Sequence, residues 1–471
     1  MEVSNISFQV ITSENLQREK DIQAQINMRI DSNECLIFDS GAGAGKTYAL
    51  RESLRHVIRN HGRRLIEHGQ QIICITYTNV ATEELKERLG HSDIVLVSTI
   101  HERMWDLIGK YQNELVEIHK RKLQNEVTEM KDDINSERFQ KFNELADSEK
   151  EDFKDLMNQL KSEFYRCYDM KSTDYRREFG SQISRFNALL HNIGTFRKLV
   201  SIIYKIERYE KALMRIEEGD PKYNKVQYTT RVNNDRMDKM QISHDTLIEY
   251  GSKMFEQYDM LRRIVIDMYP YIFIDEYQDT NPLIVKIMNW LSKTAHKIGH
   301  PIFIGYYGDS AQNVYEEGVG NLLFQTHSGL TQIIKKFNRR SASEVIDVIN
   351  RIRSDGIDQV SIYEDSNCGN VELYEGSKDQ ISVMLEKCKT DWSIDYENKM
   401  NCLVLTNKLV AEQTGLPNFY NVVSKMPCYS VGRGYEQLNT ELLSSDLSKL
   451  GYVLVSRKNP QKREGKSTTS V

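Results

Sequence analysis

Several things are scarce in this chain of 471 residues, and each scarcity excludes a class of protein. Cysteine is one: Cys35, Cys74, Cys167, Cys368, Cys388, Cys402 and Cys428 are odd in number and nowhere spaced as CxxC. That pattern suggests neither a disulfide framework nor a zinc ribbon. No apolar run approaches the roughly 18 residues that span a bilayer. The opening stretch, MEVSNISFQVITSENLQREK, lacks the basic-then-apolar layout of a secretory signal. The reading is a cytoplasmic protein with no membrane partner. Excess positive charge is missing too. A net charge of −5 and a pI near 6.2 argue against coating nucleic acid by bulk charge, yet they leave room for a basic track in a cleft, where the local field decides contact. Proline is also rare, and Pro221 is the only one between residues 105 and 240. That long stretch therefore has a single strong helix breaker.

The residues that are present, 39% hydrophobic and 28% charged, suit a soluble, helix-rich globular chain with room for two to four domains. Strand and helix alternate over the first hundred residues. Cys35–Phe38, Ile72–Ile75 and Ile94–Val97 read as buried parallel strands, with crossover helices after Gly45 and Val80. From 105 to 240 the texture changes to charged, helix-favouring runs such as NEVTEMKDDINSERFQKFNELADSEKEDFKDLMNQLKSEF. This predicts a helical insertion in an α/β domain, the alternative being a solvated arm without chemistry. Tyr271–Ile274 and Pro301–Gly305 return to the sheet, and a second α/β segment starts near Phe337 with strands expected at Val371–Tyr374 and Cys402–Leu405. The expected division is 1–104 and 241–335 for the two parts of a first lobe, 105–240 for the insertion, 336–456 for a partial second lobe, and 457–471 for a disordered basic tail.

The segment CLIFDSGAGAGKT, Cys35 to Thr47, is a buried strand, a glycine-rich turn and a helix start. Small residues at Ser40, Gly41, Ala42, Gly43, Ala44 and Gly45 let successive backbone N–H groups converge on a phosphate, with the positive helix end aimed at the same point. Lys46 would reach the β- and γ-phosphates and Thr47 would set its hydroxyl on Mg²⁺. Ser40 replaces the first glycine of the usual GxxxxGK[ST] pattern. A second apolar strand ends in YIFIDEYQDT, where Asp275 would hold the Mg²⁺ and Glu276 would orient and deprotonate the attacking water. Together these predict an ATPase that uses ATP and Mg²⁺.

Further segments follow in order. They are ITYTNVATEELKERL (Ile75 to Leu89), STIHERM (Ser98 to Met104), ISHDTLIEY (Ile242 to Tyr250), GDSAQNVY (Gly308 to Tyr315) and FNRRSASEVIDVIN (Phe337 to Asn350). With the P-loop and the acidic motif they resemble the UvrD/Rep-type superfamily 1 helicases over roughly residues 35 to 350. The resemblance implies an α/β fold of two RecA-like lobes, each a parallel sheet flanked by helices, with ATP between them. It also implies single-stranded DNA across their tops and 3′-to-5′ stepping.

Carried over residue by residue, Gln312 would contact the γ-phosphate and Arg340 would pair with it from the second lobe. Tyr77 stands where the family stacks a phenylalanine on a base, and Thr78, Asn79, Thr99 and His101 would meet the DNA backbone or hold that loop. For the glutamine that reads adenine, Gln23 is the candidate and Gln17 the rival. Arg339 occupies the position of the tyrosine that stacks on adenine, and its planar guanidinium could stack there instead. His101 followed by Glu102 also suggests HExxH, but Trp105 stands at the fifth position and removes the zinc reading. The bland alternative for His101 is a surface histidine capping the helix that follows.

Two further departures matter. Glu316-Glu317-Gly318 replaces an aromatic and an arginine that grip DNA, and two acids there would repel a phosphate track. No segment after Asn401 resembles the family's T-x-H-x-x-K-G-x-E or V-A-x-T-R-A motifs, so the second lobe is expected to be incomplete. The main expectation is an ATP-dependent DNA helicase or translocase. The alternative is a degenerate or truncated ATP- and DNA-binding subunit that works with a partner nuclease, as in bacterial anti-phage systems. A metabolic P-loop kinase would leave the TYTN, TIHER and AQNVY segments without a purpose.

Overall fold

Why these residues fold as they do is clearest in the sheet. A computed structural model describes residues 10–90, 92–230, 233–312, 318–366, 370–377, 380–395, 399–403 and 406–424. Two compact units separate: one holds residues up to 369, the other residues 370 onward together with 231–233. In the first unit, six strands form one sheet: β1 (Leu36–Ser40), β2 (Ile72–Thr76), β3 (Val95–Thr99), β4 (Tyr271–Asp275), β5 (Phe303–Gly308) and β6 (Thr331–Lys335). Their order is β3-β2-β4-β5-β1-β6, and every neighbouring pair is parallel.

A parallel sheet is covered on both faces, so its central strands are largely apolar, whereas the edge strand β6 has exposed positions. Alternate residues go to opposite faces. Ile37, Ile73, Ile75, Ile272, Ile274, Ile304 and Tyr306 enter one core, while Leu36, Phe38, Ile72, Cys74, Phe273, Phe303 and Tyr307 enter the other. The second core is closed by α1 (Ser13–Asp31), α2 (Lys46–Glu67) and α3 (Asn79–Leu89), through Ile26, Ile30, Leu50, Leu54, Val57 and Leu85. The first is closed by α4 (Ile100–Ile108) and continues into a helical body built on α5 (Gln112–Ile134) and α6 (Ile193–Glu217).

The helical body carries an aromatic core of its own. Phe153 lies 5.2 Å from Phe186 and 6.1 Å from Phe196, both edge-on, and Phe164 meets Tyr204 edge-on at 5.6 Å. This core is contiguous with the sheet's, so a solvated arm does not describe it. The chain returns through α7 (His244–Gln257) and α8 (Asp259–Met268), and α9 (Pro282–Ile298) joins β4 to β5. After β6, residues Phe337–Asn338 pair with Val360–Ser361 around α10 (Ser343–Ile352).

Two expected strands are not found among the described residues. Val371–Tyr374 is irregular, with Leu373 97% exposed, and Leu403 of the expected strand Cys402–Leu405 is 98% exposed and also irregular. Val404 and Leu405 lie outside the described residues, as does the tail 457–471. An apolar run reads as a strand in sequence, but without a neighbour among the described residues to pair its backbone it has no reason to become one. Taken by itself, the second unit contains helices Ile381–Asp391, Asn407–Gln413 and Pro417–Val423. Among the described residues no helix is long and apolar enough to cross a membrane.

Candidate active site

The strand order brings the C-terminal ends of all six strands to one edge, and the sequence motifs sit on that edge. Asp39 is in register with Gly308, Asp275 with Tyr307, Ser40 with Lys335 and Thr76 with Thr99. Ligands of open α/β sheets bind at this kind of edge.

After Ser40 the chain turns through Gly41–Gly45 into α2. Gly43 and Gly45 have φ of +76° and +87°, a left-handed backbone that a side chain would strain. Lys46 opens the helix and its Nζ donates to Glu276 Oε2 at 2.9 Å and to Gln312 Oε1 at 3.3 Å. The P-loop lysine, the acidic motif and the glutamine of the GDSAQ loop thus meet at one point. Thr47, Tyr77, Thr78, Asp275, Glu276, Gln278 and Gln312 line a single cavity of about 360 Å³ there.

Electrostatics at this point are unusual. Burial first, and then the neighbouring Glu276 charge, push the Asp275 carboxyl up to about 7. Glu276 itself has φ +47°, a left-handed conformation rare for a residue with a side chain and characteristic of functional sites. Thr47 and Asp275 supply the hard oxygen donors a small divalent cation prefers. A desolvated carboxylate repelled by a like charge is also a group that a cation would stabilise. These residues fit Mg²⁺.

The residues expected on the adenine side fall differently. Gln23 donates to Asn27 Oδ1 at 3.0 Å and to Ser53 Oγ of α2 at 3.4 Å, while Gln17 donates to Asp21 at 2.8 Å. Neither is bonded to Arg339, whose guanidinium pairs with Glu19 of α1 through Nε at 3.0 Å and through its NH2 nitrogen. Glu19 also pairs with Lys335 at 2.5 Å, and Lys335 is only 4% exposed. Burial would raise the Glu19 pKa, but the bonds from Arg339 and Lys335 outweigh it and hold it below the usual range. Sequence reasoning missed Glu19 and Lys335. No local signal marked them: Lys335 shares the inward face of β6 with Ile333, but that shows only once the strand and its partner Glu19 are placed.

Arg340 lies beside the P-loop with its side chain exposed. Its backbone is tied there by Asn338, which donates from Nδ2 to Ala42 O at 2.7 Å and accepts from the N–H groups of Arg340 and Ser341 at 2.8 and 2.9 Å.

Among the residues expected to meet DNA, Tyr77 is 45% exposed, and Asn79 is exposed at the start of α3. The Thr78 and Thr99 hydroxyls cap α3 and α4, accepting from Ala81 N at 3.1 Å and Glu102 N at 3.4 Å. Thr99 caps α4, so His101 does not. The His101 ring instead lies 4.6 Å from that of His244, and Tyr228 Oη is 2.8 Å from His244 Nδ1. Burial first, then the His244 charge, lower the His101 pKa to about 4. His101 is therefore neutral at pH 7. Residues 313–317, which include both of those acids, Glu316 and Glu317, lie outside the described residues.

Comparison with known proteins agrees with this geometry. The UvrD/REP helicase N-terminal domain matches residues 20–316. The chain is 49% identical over 445 residues to the Gabija protein GajB of Bacillus cereus (strain HuB5-5), covering 94% of this chain and 65% of that protein. It is 22% identical over 369 residues to a probable DNA helicase II homolog of Mycoplasma capricolum, covering 75% of this chain and 42% of the relative. With the ATP-dependent DNA helicase Rep of Salmonella typhimurium the identity is 23% over 327 residues, covering 67% and 40%. The chain thus spans between 40% and 65% of the length of these curated relatives.

Proposed function

This chain belongs to the UvrD/REP helicase family, and on that premise we propose that it binds ATP at the strand-end cavity, hydrolyses it, and couples turnover to single-stranded DNA with 3′-to-5′ polarity. The observation that carries the reading is the meeting of Lys46, Glu276 and Gln312 at the mouth of the P-loop. In this arrangement Lys46 neutralises Glu276. The β- and γ-phosphates of ATP hold more charge than one carboxylate, so they would take over Lys46 and free Glu276 to orient and deprotonate water. The backbone N–H groups of Gly41–Gly45 would cradle the phosphates, with Ser40 at the entrance, and Thr47 with Asp275 would hold Mg²⁺, which neutralises developing charge when bound. Gln312 would report the γ-phosphate to the DNA side, and Arg340, already tethered to the loop through Asn338, would reach the same phosphate. Tyr77 would stack on a base, flanked by Thr78, Asn79, Thr99 and His101.

A second reading has its own support. The likeness to the Gabija protein GajB favours a Gabija component whose ATP and DNA binding serve a partner protein, a nuclease in anti-phage defence, over a free-standing helicase. Both readings share the nucleotide site and differ in what the energy does. ATP turnover by the full chain, measured with and without single-stranded DNA, tests the shared part. Turnover that rises with DNA and vanishes in Glu276→Gln supports it. Turnover indifferent to both DNA and that substitution would sink it. Duplex unwinding by the chain alone then separates the free helicase from the subunit that needs a partner.

A further inference from the structure

Behind the cavity lies a buried polar set that the chemistry above leaves unused. Asp309 is wholly excluded from solvent, and a carboxylate there is strongly unfavourable unless paired. Arg353, just past α10, gives it two parallel bonds at 3.0 and 2.9 Å. The same guanidinium bonds Asp355 through Nε at 3.1 Å. Asp355 in turn accepts from Ser310 Oγ at 2.9 Å. On its other side, the Asp309 N–H donates to Gln278 Oε1 at 3.1 Å, and Gln278 Nε2 donates to Glu276 Oε2 at 2.8 Å. Gln278 is buried as well. The approach depends on Gly308, because a Cβ there would lie 2.4 Å from Gln278 Oε1 and 2.5 Å from the Tyr277 ring.

An unbroken path of bonds therefore runs from Glu276 through Gln278 and Asp309 to Arg353. Asp309 also shapes the loop that carries Gln312, accepting from Ala311 N at 3.2 Å on its carboxylate and from Gln312 N at 3.0 Å on its carbonyl. Arg353 is reached from Arg340 through α10, so the path ends in the segment that carries the arginine proposed above to reach the phosphate.

We propose that Gln278 and Arg353 are positioning residues that tie the Glu276 carboxylate and the Gln312 loop to the Arg340 segment, so that displacement of that segment turns Glu276 toward or away from the attacking water. The proposal rests on the ATPase reading and deepens it. The parts suit the task. An amide both donates and accepts, so Gln278 passes a constraint from one bond to the next. The guanidinium fork fixes Asp309 in direction as well as charge, which an ammonium cannot do.

The test uses the full chain and separates kcat from KM for ATP in the parent, Arg353→Lys, Gln278→Met and the double variant. Arg353→Lys keeps the buried charge, and Gln278→Met keeps the volume. Each single change is expected to lower kcat on the order of 10- to 100-fold, the effect of misplacing a reacting group by about an ångström. KM should stay within about two-fold, because ground-state binding is untouched. The double variant should be no worse than the poorer single, as expected for residues acting as one unit. A merely structural role would instead lower melting temperature and let the two losses multiply. Parent-like kcat in both single variants, or multiplying losses in the double, overturns the relay while ATPase activity in the parent leaves the nucleotide reading standing. A parent chain that hydrolyses no ATP overturns both.

Discussion

The strand-end edge of the sheet and the helical body between residues 105 and 240 share one hydrophobic core but are built on opposite principles. The edge buries charge: Asp309, Asp39 and Lys335 are all within a few per cent of full exclusion, and Glu276 sits in a left-handed backbone. The body buries rings, with Phe153, Phe164, Phe179 and Phe196 each essentially inaccessible, and it leaves many charges on the surface as helical pairs such as Lys154–Glu151 and Arg177–Asp174. Buried and opposed charges are poor contributors to stability and good contributors to chemistry. Aromatic packing is the reverse. On the proposed function, catalysis falls to the edge and stability to the body.

Substitutions at the two places should therefore dissociate. The largest effect is expected for Glu276→Gln, which keeps shape and removes the base. ATP turnover should fall by roughly 10²- to 10⁴-fold while the melting temperature holds. Steady-state kinetics beside a thermal melt checks this, and a parallel loss of stability would blur the division. Next comes Phe153→Ala in the body. It should destabilise by about 3–5 kcal/mol, read as a lower denaturant midpoint, while the folded fraction keeps its affinity for ATP. Tyr77→Ala should weaken single-stranded DNA by about 1–3 kcal/mol if its ring stacks on a base. Fluorescence anisotropy with a labelled oligonucleotide decides it, and parent-like affinity returns Tyr77 to a structural role.

The smallest effect concerns pH. The His101 pKa is depressed from 6.5 to about 4, so the folded chain resists a proton that the unfolded chain accepts. Its contribution to stability is complete above pH 6.5 and is lost progressively as pH falls toward 4. Replacing His101 by Gln should remove that part of the acid sensitivity, which chemical denaturation at pH 7 and pH 5 would register. An unchanged difference between the two pH values contradicts the burial of a neutral ring.

How much of this was legible beforehand follows the same comparison. The glycine loop and the acidic strand could be read because steric and hydrophobic demands act within a few neighbouring residues. Lys335 could not, since a lysine in a strand reads as solvent-facing until Glu19 is placed opposite it. Nor could Arg353, whose partner Asp309 is 44 residues away. Gln23 was sought for its amide, whereas α1 brings Glu19 to Arg339. Val371–Tyr374 was misread because an apolar run looks the same with or without a sheet to join. UvrD/REP family membership was readable from the order of the motifs, since each is short and local.

The central claim is that Lys46 and Glu276, now bonded to each other at 2.9 Å, hold and hydrolyse one nucleotide. Calorimetric titration of Mg·ATP into the parent, Lys46→Ala and Glu276→Gln chains tests it most directly. Lys46→Ala should lose binding by at least about ten-fold, because a principal charge-assisted phosphate contact is gone. Glu276→Gln should bind as tightly as the parent or more tightly, because Lys46 is then released from its ion pair. Parent-like affinity in Lys46→Ala would contradict the account.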